Sequence, residues 1–508
     1  MNFFNRLTVA GKAVIILAVV AIIGCALYFS GATKSLGSMD FGSSSGKTDA
    51  TLVVNTYCGF EPIVWANGGL NGSDDSYFAK NYDLKLKILI MDDFDACRAS
   101  LKEGSSQMAY CTLDALPVEM SSSGTMTDMR YFMLLNFSAG ADVIVADGTV
   151  NSVADLKGKS VAYAEGTASH TLLLNVLETS GLTMNDITPV KVSSGIEAAQ
   201  AFKSKQVSAA CVWAPDDEDC VSAFKDAHVL TSTAQANNLV SDGLIAKKEW
   251  LDKNQDLAAK VVEAILWANS QIQNDPAAFK EGATVFANAF ETDVDFALTS
   301  SKKINYATVQ DEINWMGLNS DYSGMTGERV YTKMSRAYTS LGLTKSVMPW
   351  QKVAYTEIIE KVAASNKLDN KQIAVGTAVK EFSAPTEKLE QAVAISNKKI
   401  VINFPVGGYS LDNVARSTID KEFVDISQSF ANARIRVSGN TTNTGNYDSN
   451  VALSKKRAQA VVDYLVSEYH LPKNKFVVVG NGPKKAVADG IRGENDAYRT
   501  TDLEILAD

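Results

Sequence analysis

VADLKGKSVAYAEGTASHTLLLNVLETSGL, residues 153–182, reads as strand, glycine-containing turn and helix, and the rest of the chain is placed relative to it. Residues 160–163 are a short β-prone run, Gly166 supplies a permissive backbone, and Thr167 or Ser169 is positioned to cap a helix that runs to Gly181. A helix that begins there presents unpaired N–H groups and the positive end of its dipole. A carboxylate, sulfonate or phosphate suits such an end, which makes Gly166, Thr167, Ala168 and Ser169 candidate ligand contacts. An ordinary capped helix has the same local sequence, so the neighbouring segments decide between the two readings.

Those neighbours alternate between strand and helix. Residues 51–56, 84–91 and 107–111 are β-prone, with helical runs leading into Gly68-Gly69 and over 94–102 between them. Alternation of this kind implies an α/β fold with a largely parallel sheet and ligands at the carboxyl ends of its strands. The loops at 57–61, 92–93 and 112–114 then line one wall of a cleft, 138–142 marks a crossing, and 166–169 with 213–216 make the opposite wall. The candidate contacts from these loops are Phe60, Glu61, Asp92, Thr112, Ser138, Trp213 and Asp216. Phe60 and Trp213 are candidates to sandwich a planar or apolar part of a ligand, although each also reads as a core side chain. The carboxylates among these positions leave open a ligand that carries an amine. After residue 240 the chain is expected to return to its first lobe through helices at 250–273 and 276–290, separated by Asn274-Asp275-Pro276, and to finish that region with a helical hairpin at 322–343.

Three segments carry a family resemblance: Asp155-Leu156-Lys157-Gly158-Lys159 before the strand, QVSAACVWAPD at 206–216, and NFSAGADVIVADG at 136–148. Together they resemble the periplasmic solute-binding proteins of nitrate, sulfonate and thiamine-precursor ABC transporters, over residues 51–343. The resemblance implies a two-lobed, type II-like binding domain that closes on a small anionic or zwitterionic solute, with a permease or another membrane protein as partner.

The composition agrees with a folded protein. At 508 residues the chain has room for about three domains. A hydrophobic fraction of 46% with 21% charged residues is that of ordinary globular protein. The formal net charge of −10, with no Lys/Arg cluster to offset it, argues against a nucleic-acid partner. No G-x-S-x-G elbow, H-E-x-x-H, Walker or paired metal signature is present, so neither an enzyme, a cofactor nor a metal is expected. GSSSGKT at 42–48 falls one residue short of a phosphate-binding loop. The cysteines stand at 25, 58, 97, 111, 211 and 220, and Cys211 with Cys220 is the nearest plausible bridge.

Residues 13–29 are a nearly uninterrupted apolar run behind Arg6 and Lys12. We read 1–12 as a cytoplasmic end, 13–30 as a transmembrane anchor and 31–50 as a Gly/Ser-rich linker, which places the bulk of the chain in the periplasm at the inner membrane. The alternative is a lipid anchor on Cys25, whose surroundings loosely resemble a lipoprotein-processing box.

Residues 344–398 are Lys-, Glu-, Ala- and Gln-rich and read as a helical linker. The last segment, 399–508, carries IVINFPVGGYSL (400–411), ARIRVSGNTTNTG (433–445), NVALSKKRAQAVVDYL (450–465), KFVVVGNG (475–482) and YRTTDLEI (498–505). These resemble the OmpA-like, peptidoglycan-associating family and imply an α/β sandwich. Members of that family hold the stem-peptide diamino acid with an Asp and an Arg. Here Arg457 stands at the Arg position, Thr442 replaces the Asp, and Tyr498-Arg499-Thr500 replaces the terminal Asn-Arg-Arg, so Thr442, Arg457 and Arg499 are the candidate wall contacts. The expected function is therefore a membrane-anchored solute receptor that touches the cell wall; the alternative is a structural scaffold or periplasmic spacer with degenerate sites.

Overall fold

The computed structural model describes residues 48–368 and 381–506, apart from Ser123, Pro215, Asn237, Ser323 and Asn366. The first lobe is built on Ala50–Val54 (β1), Leu86–Ile90 (β2) and Met108–Thr112 (β3), short apolar runs in which β1 pairs in parallel with both neighbours. Met129–Ser138 (β4) and Ser241–Lys247 (β10) add antiparallel strands, and Ile304–Tyr306 (β11) completes the order β11-β4-β10-β3-β1-β2. The helices Gln255–Asn274 and Pro276–Phe290 return the chain to this lobe, with Asp275 capping the second. That cap and the following proline separate the helices as the sequence expects.

The second lobe holds Asp142–Ala146 (β5), Ser160–Ala164 (β6), Thr188–Val192 (β7), Ala209–Trp213 (β8) and His228–Ser232 (β9), in the order β7-β6-β8-β5-β9. Two chain crossings join the lobes, one from β4 to β5 and one from β9 to β10. They are tied together. Ser138 Oγ and Thr233 Oγ1 lie 2.7 Å apart, and Thr233 Oγ1 also accepts from the amides of Gly140 (2.9 Å) and Asp142 (3.2 Å).

The C-terminal domain is a four-stranded sheet, Ala394–Ile400 (β12), Ile435–Asn440 (β13), Phe476–Gly482 (β14) and Thr501–Leu506 (β15), in the order β12-β15-β13-β14. The helix Tyr447–Tyr469 lies so close to it that a Cβ on Gly439 would stand 2.1 Å from the Ser454 carbonyl oxygen, and only glycine fits there. This domain also touches the second lobe: Lys398 Nζ, held at 2.9 Å by Glu422 of its own domain, reaches Glu178 at 3.7 Å.

Several expectations change. Part of the supposed linker at 344–398 belongs to the first lobe: Trp350, Val353, Ile358, Ile359 and Val362 are in its core, because the helix Glu357–Ser365 turns an apolar face onto Gln255–Asn274. Residues from 381 onward pack instead on the C-terminal domain, where the Ser383 carbonyl accepts from Arg434 Nη1 at 3.1 Å. The hairpin expected at 322–343 is one helix, Gly327–Ser340. Cys58, Cys97, Cys111, Cys211 and Cys220 are buried free thiols; Cys211 and Cys220 sit in different hydrophobic clusters, so no bridge joins them. The predicted anchor at 13–30 and Cys25 lie outside the described residues, and among those residues no helix is long and apolar enough to cross a membrane.

Candidate functional site: the floor of the interlobe cleft

The strand registers bring four strand ends to one place. Asp242 pairs across β10 with Thr112 on β3 and with Asn136 on β4, and Asp142 opens β5 just past the first crossing. Asp114 follows β3, and its neighbour Leu113 donates its amide to the Ser241 carbonyl at 2.9 Å. Three buried carboxylates thereby lie near the crossings between the lobes, with Asp114, Asp142 and Asp242 only 0%, 6% and 7% exposed.

Their electrostatics follow from that burial. Desolvation pushes Asp114 up to about 7, helped by the charge of Asp142, while the nearby Thr171 hydroxyl of the second lobe tempers the shift. Desolvation pushes Asp142 to about 6, with Ser138 opposing the shift and Asp217 adding to it. Asp242 is driven well above its ordinary value by burial and then by Asp142 and Asp114. Among the described residues none of the three has an ion-pair partner; the nearby Lys303 is engaged at 2.9 Å by Asp217.

Polar atoms around these carboxylates are also unsatisfied. Both Asp114 carboxylate oxygens, Asn136 Oδ1, Tyr57 Oη and Ser241 Oγ are buried without a hydrogen-bond partner. The Asn136 amide donates from Nδ2 to the Gly59 carbonyl at 3.2 Å, and its hydrogen bonding toward Asp242 opposes the rise of that carboxyl. Buried polar atoms are nearly always paired in folded proteins, so these orphans make the crossings a candidate site.

The opposite wall is the start of the helix Ala168–Glu178. Thr167 is its N-cap residue, yet its hydroxyl donates back to the Ala164 carbonyl (2.9 Å) and caps nothing. Gly166 adopts φ 73° and gives its amide to His170 Nδ1 at 3.2 Å. Burial holds His170 down to about 4, so the ring is neutral between Tyr163 and Tyr338. The Ser169 hydroxyl is buried and donates to the Cys211 carbonyl at 3.3 Å. Contacts from the first lobe close over this helix: Thr171 and Tyr338 share a hydrogen bond of 2.8 Å, and a Cβ on Gly166 would meet Val118 at 3.8 Å.

The sequence-derived candidates divide accordingly. Gly166, Thr167, Ala168 and Ser169 lie at the wall, Ser138 ties the crossings, and Thr112 ends β3 beside Asp242. Phe60 is 0% exposed and packs edge-on against Tyr57 and Tyr110, and among the described residues it forms no ring pair with Trp213. Trp213 instead covers Gly195, where a Cβ would stand 2.8 Å from its ring. Glu61 is buried against the outer helices, bonded to Ser301, and desolvation raises it to about 7. Asp92 is exposed and accepts from the Thr56 amide at 2.9 Å; Asp216 is half-buried at the start of the helix Asp216–Ser222. None of Asp114, Asp142 and Asp242 is among the sequence-derived contacts, although the first two end loops that the sequence places at the cleft; Asp242 comes beside Thr112 only through strand register.

At the C-terminal site Arg457 is 7% exposed and held below its ordinary value by burial and then by Arg499. Its Nε and Nη2 donate to the carbonyls of Gly408 (3.0 Å) and Pro405 (3.2 Å), over the Phe404 ring. Thr442 is buried, with its hydroxyl 3.2 Å from that of Thr444, and Arg499 pairs with Glu494.

Comparison with known proteins agrees with both halves. Residues 84–279 match the NMT1/THI5-like family model, and residues 403–499 match the OmpA family model. An Escherichia coli (strain K12) protein named for aliphatic sulfonates binding is 39% identical over 74 residues, 14% of this chain and 23% of that protein. A Brucella abortus (strain 2308) protein named as a binding protein is 35% identical over 116 residues, 23% of this chain and 34% of that one. The chain thus spans about a quarter to a third of the length of these relatives. The crystal structure of the periplasmic aliphatic sulphonate binding protein SsuA from Escherichia coli superposes with a TM-score of 0.50 at 17% identity, covering 62% of this chain and all of that one. The chain therefore carries an NMT1/THI5-like domain of periplasmic-binding-protein fold and a C-terminal OmpA domain.

Proposed function

We propose that this protein is a cell-envelope receptor rather than an enzyme. Residues 13–30 anchor it in the bacterial inner membrane, its bulk stands in the periplasm, and its two lobes close on a small anionic or zwitterionic solute. The observation that carries this reading is the cleft floor, where buried acceptor atoms without partners meet between two lobes joined by tied crossings. A solute that binds both lobes favours their closed arrangement by its differential affinity for it, which is how such a hinge reports occupancy. The uncapped start of Ala168–Glu178 suits an acidic group on the solute, in keeping with the sulfonate-binding name of one relative. A permease or another membrane protein is the partner such a receptor serves, and the OmpA domain rests on or near peptidoglycan. The test is mass spectrometry of solute released by denaturing the purified full-length chain, together with its thermal stability before and after stripping. A bound small solute whose removal lowers Tm supports the receptor.

One observation favours a second reading for the wall domain. Thr442 supplies no charge for a diamino acid, and Arg457 already forks onto carbonyls of its own chain. A scaffold or spacer with a lapsed peptidoglycan site fits that geometry, and a protein that neither holds nor responds to any solute would extend this reading to the whole chain.

A further inference from the structure

We propose that the C-terminal domain is a clamp on the two lobes: it is bonded to both at one junction, draws them toward their present arrangement, and lets them part when it undocks. The inference goes beyond the receptor reading and stands without a solute. Its centre is Glu178, the last residue of the second-lobe helix Ala168–Glu178. One Glu178 carboxylate oxygen is met at 3.1 Å by Lys333 of the first lobe's helix Gly327–Ser340, and the other at 3.7 Å by Lys398 of the C-terminal domain. One turn before Lys333 on the same helix, Arg329 donates from Nη1 to Gln428 Oε1 in the C-terminal helix Asp425–Ser429. The C-terminal domain is therefore bonded to the second lobe through Lys398 and to the first through Arg329.

Each arm has a firm root. The helix Gly327–Ser340 is fixed in the first lobe by Val330 and Tyr331, both in its core, and Tyr331 Oη donates to the Met348 carbonyl at 2.9 Å. Lys398 is held by Glu422, and its strand β12 lies against the turn Val153–Leu156 of the second lobe. Val153 and Leu156 share one buried apolar cluster with Ile400 and Phe423, so the two cores are continuous. A domain seated on one lobe alone would ride with it when the lobes part. This one is bonded to both, so they part only if a bond of the junction breaks. The side chains of Lys333 and Lys398 are 19% and 12% exposed, so salt screens their pairs less than it screens surface pairs. Glu178 also lies at the far end, roughly 16 Å along the helix, from Gly166–Ser169, so cleft and junction share one rigid element. Coupling of this kind is reciprocal: whatever draws the lobes together also holds the C-terminal domain in place.

The test uses the stripped full-length chain carrying spin-label pairs read by pulsed electron resonance. Labels on Phe94→Cys and Ile196→Cys, exposed positions of the first and second lobes, report the lobe separation, and labels on Ile196→Cys and Val487→Cys report the docking of the C-terminal domain. Arg329→Ala with Lys398→Glu cuts both arms and leaves Lys333 on Glu178. It should lengthen and broaden the docking distance and raise the share of longer lobe separations about threefold, the scale of two partly exposed polar contacts. The milder Arg329→Gln with Lys398→Gln should move both distances the same way, and it carries the test if the first variant loses the circular dichroism of the parent. Undocking with an unchanged lobe separation would make the domain a passenger, and a docking distance unchanged in both variants would show that the junction does not hold it; either result overturns the inference. No solute enters the measurement, so neither result bears on the receptor reading.

Discussion

Replacing Asp114 with Asn tests the physical account of the cleft floor without knowledge of the ligand. Burial raises this carboxyl from 3.8 to about 7 in the folded protein, about three pH units. At roughly 1.4 kcal/mol per unit this amounts to an upper bound of about 4 kcal/mol. The sign follows from linkage. The folded protein holds a proton that the unfolded chain releases, so the stability from this group is fully present below about pH 4 and is lost as pH rises through about 7. Asparagine imitates the neutral acid at every pH. The ligand-free variant should therefore match the parent within about 1 kcal/mol at pH 4 and be more stable at pH 8, by up to about 4 kcal/mol. Urea unfolding of the ligand-free full-length chain, followed by the fluorescence of buried Trp315 and Trp350 in the first lobe, reads the difference. A variant less stable than the parent at pH 8 would refute the reasoning, because it would mean that the folded protein supplies Asp114 with a counter-charge.

Three further substitutions probe other parts of the structure. Phe60→Ala should cost about 3–5 kcal/mol in the first lobe, as a core truncation does, and a wild-type urea midpoint would return Phe60 to the list of ligand contacts. Gly439→Ala should drive the helix Tyr447–Tyr469 off its sheet and destabilise the C-terminal domain by about 1–3 kcal/mol or more, measured as the loss of protease resistance in that domain, which would persist if the helix could move freely. Thr442→Asp should strengthen any binding of the full-length chain to purified sacculi by ~1–3 kcal/mol and Arg457→Ala should abolish it; tight binding indifferent to both would assign the wall contact to another surface.

Much of the architecture was legible in the sequence because it depends on local periodicity. The 153–182 stretch folds as strand, glycine turn and helix, with Gly166 in the left-handed conformation that its place requires. Tertiary placement was harder to read. Phe60 has the same local sequence whether it faces a ligand or Tyr110, and only the packing of the first lobe decides. The charged composition of 344–398 concealed the buried face Ile358, Ile359 and Val362, which exists only against another helix. The acidic floor was the least visible feature, since residues 114, 142 and 242 are far apart in sequence and meet through antiparallel register at the crossings. At the wall, the sequence offers Thr167 or Ser169 as the cap; Thr167 takes the N-cap position and Ser169 lies inside the helix, but the turn of the Thr167 hydroxyl to Ala164 is a matter of rotamer that sequence does not express.

The central claim, that two lobes close on a solute, is tested most directly by the distance between them. Phe94 on the first lobe and Ile196 on the second are exposed side chains, whereas the described native thiols are buried, so spin labels on Phe94→Cys and Ile196→Cys would report the separation by pulsed electron resonance. The account predicts that the stripped full-length chain samples a longer separation and that a small-molecule extract of bacterial cells gathers it into a single shorter one. A separation identical with and without the extract, at concentrations that raise Tm, would contradict it.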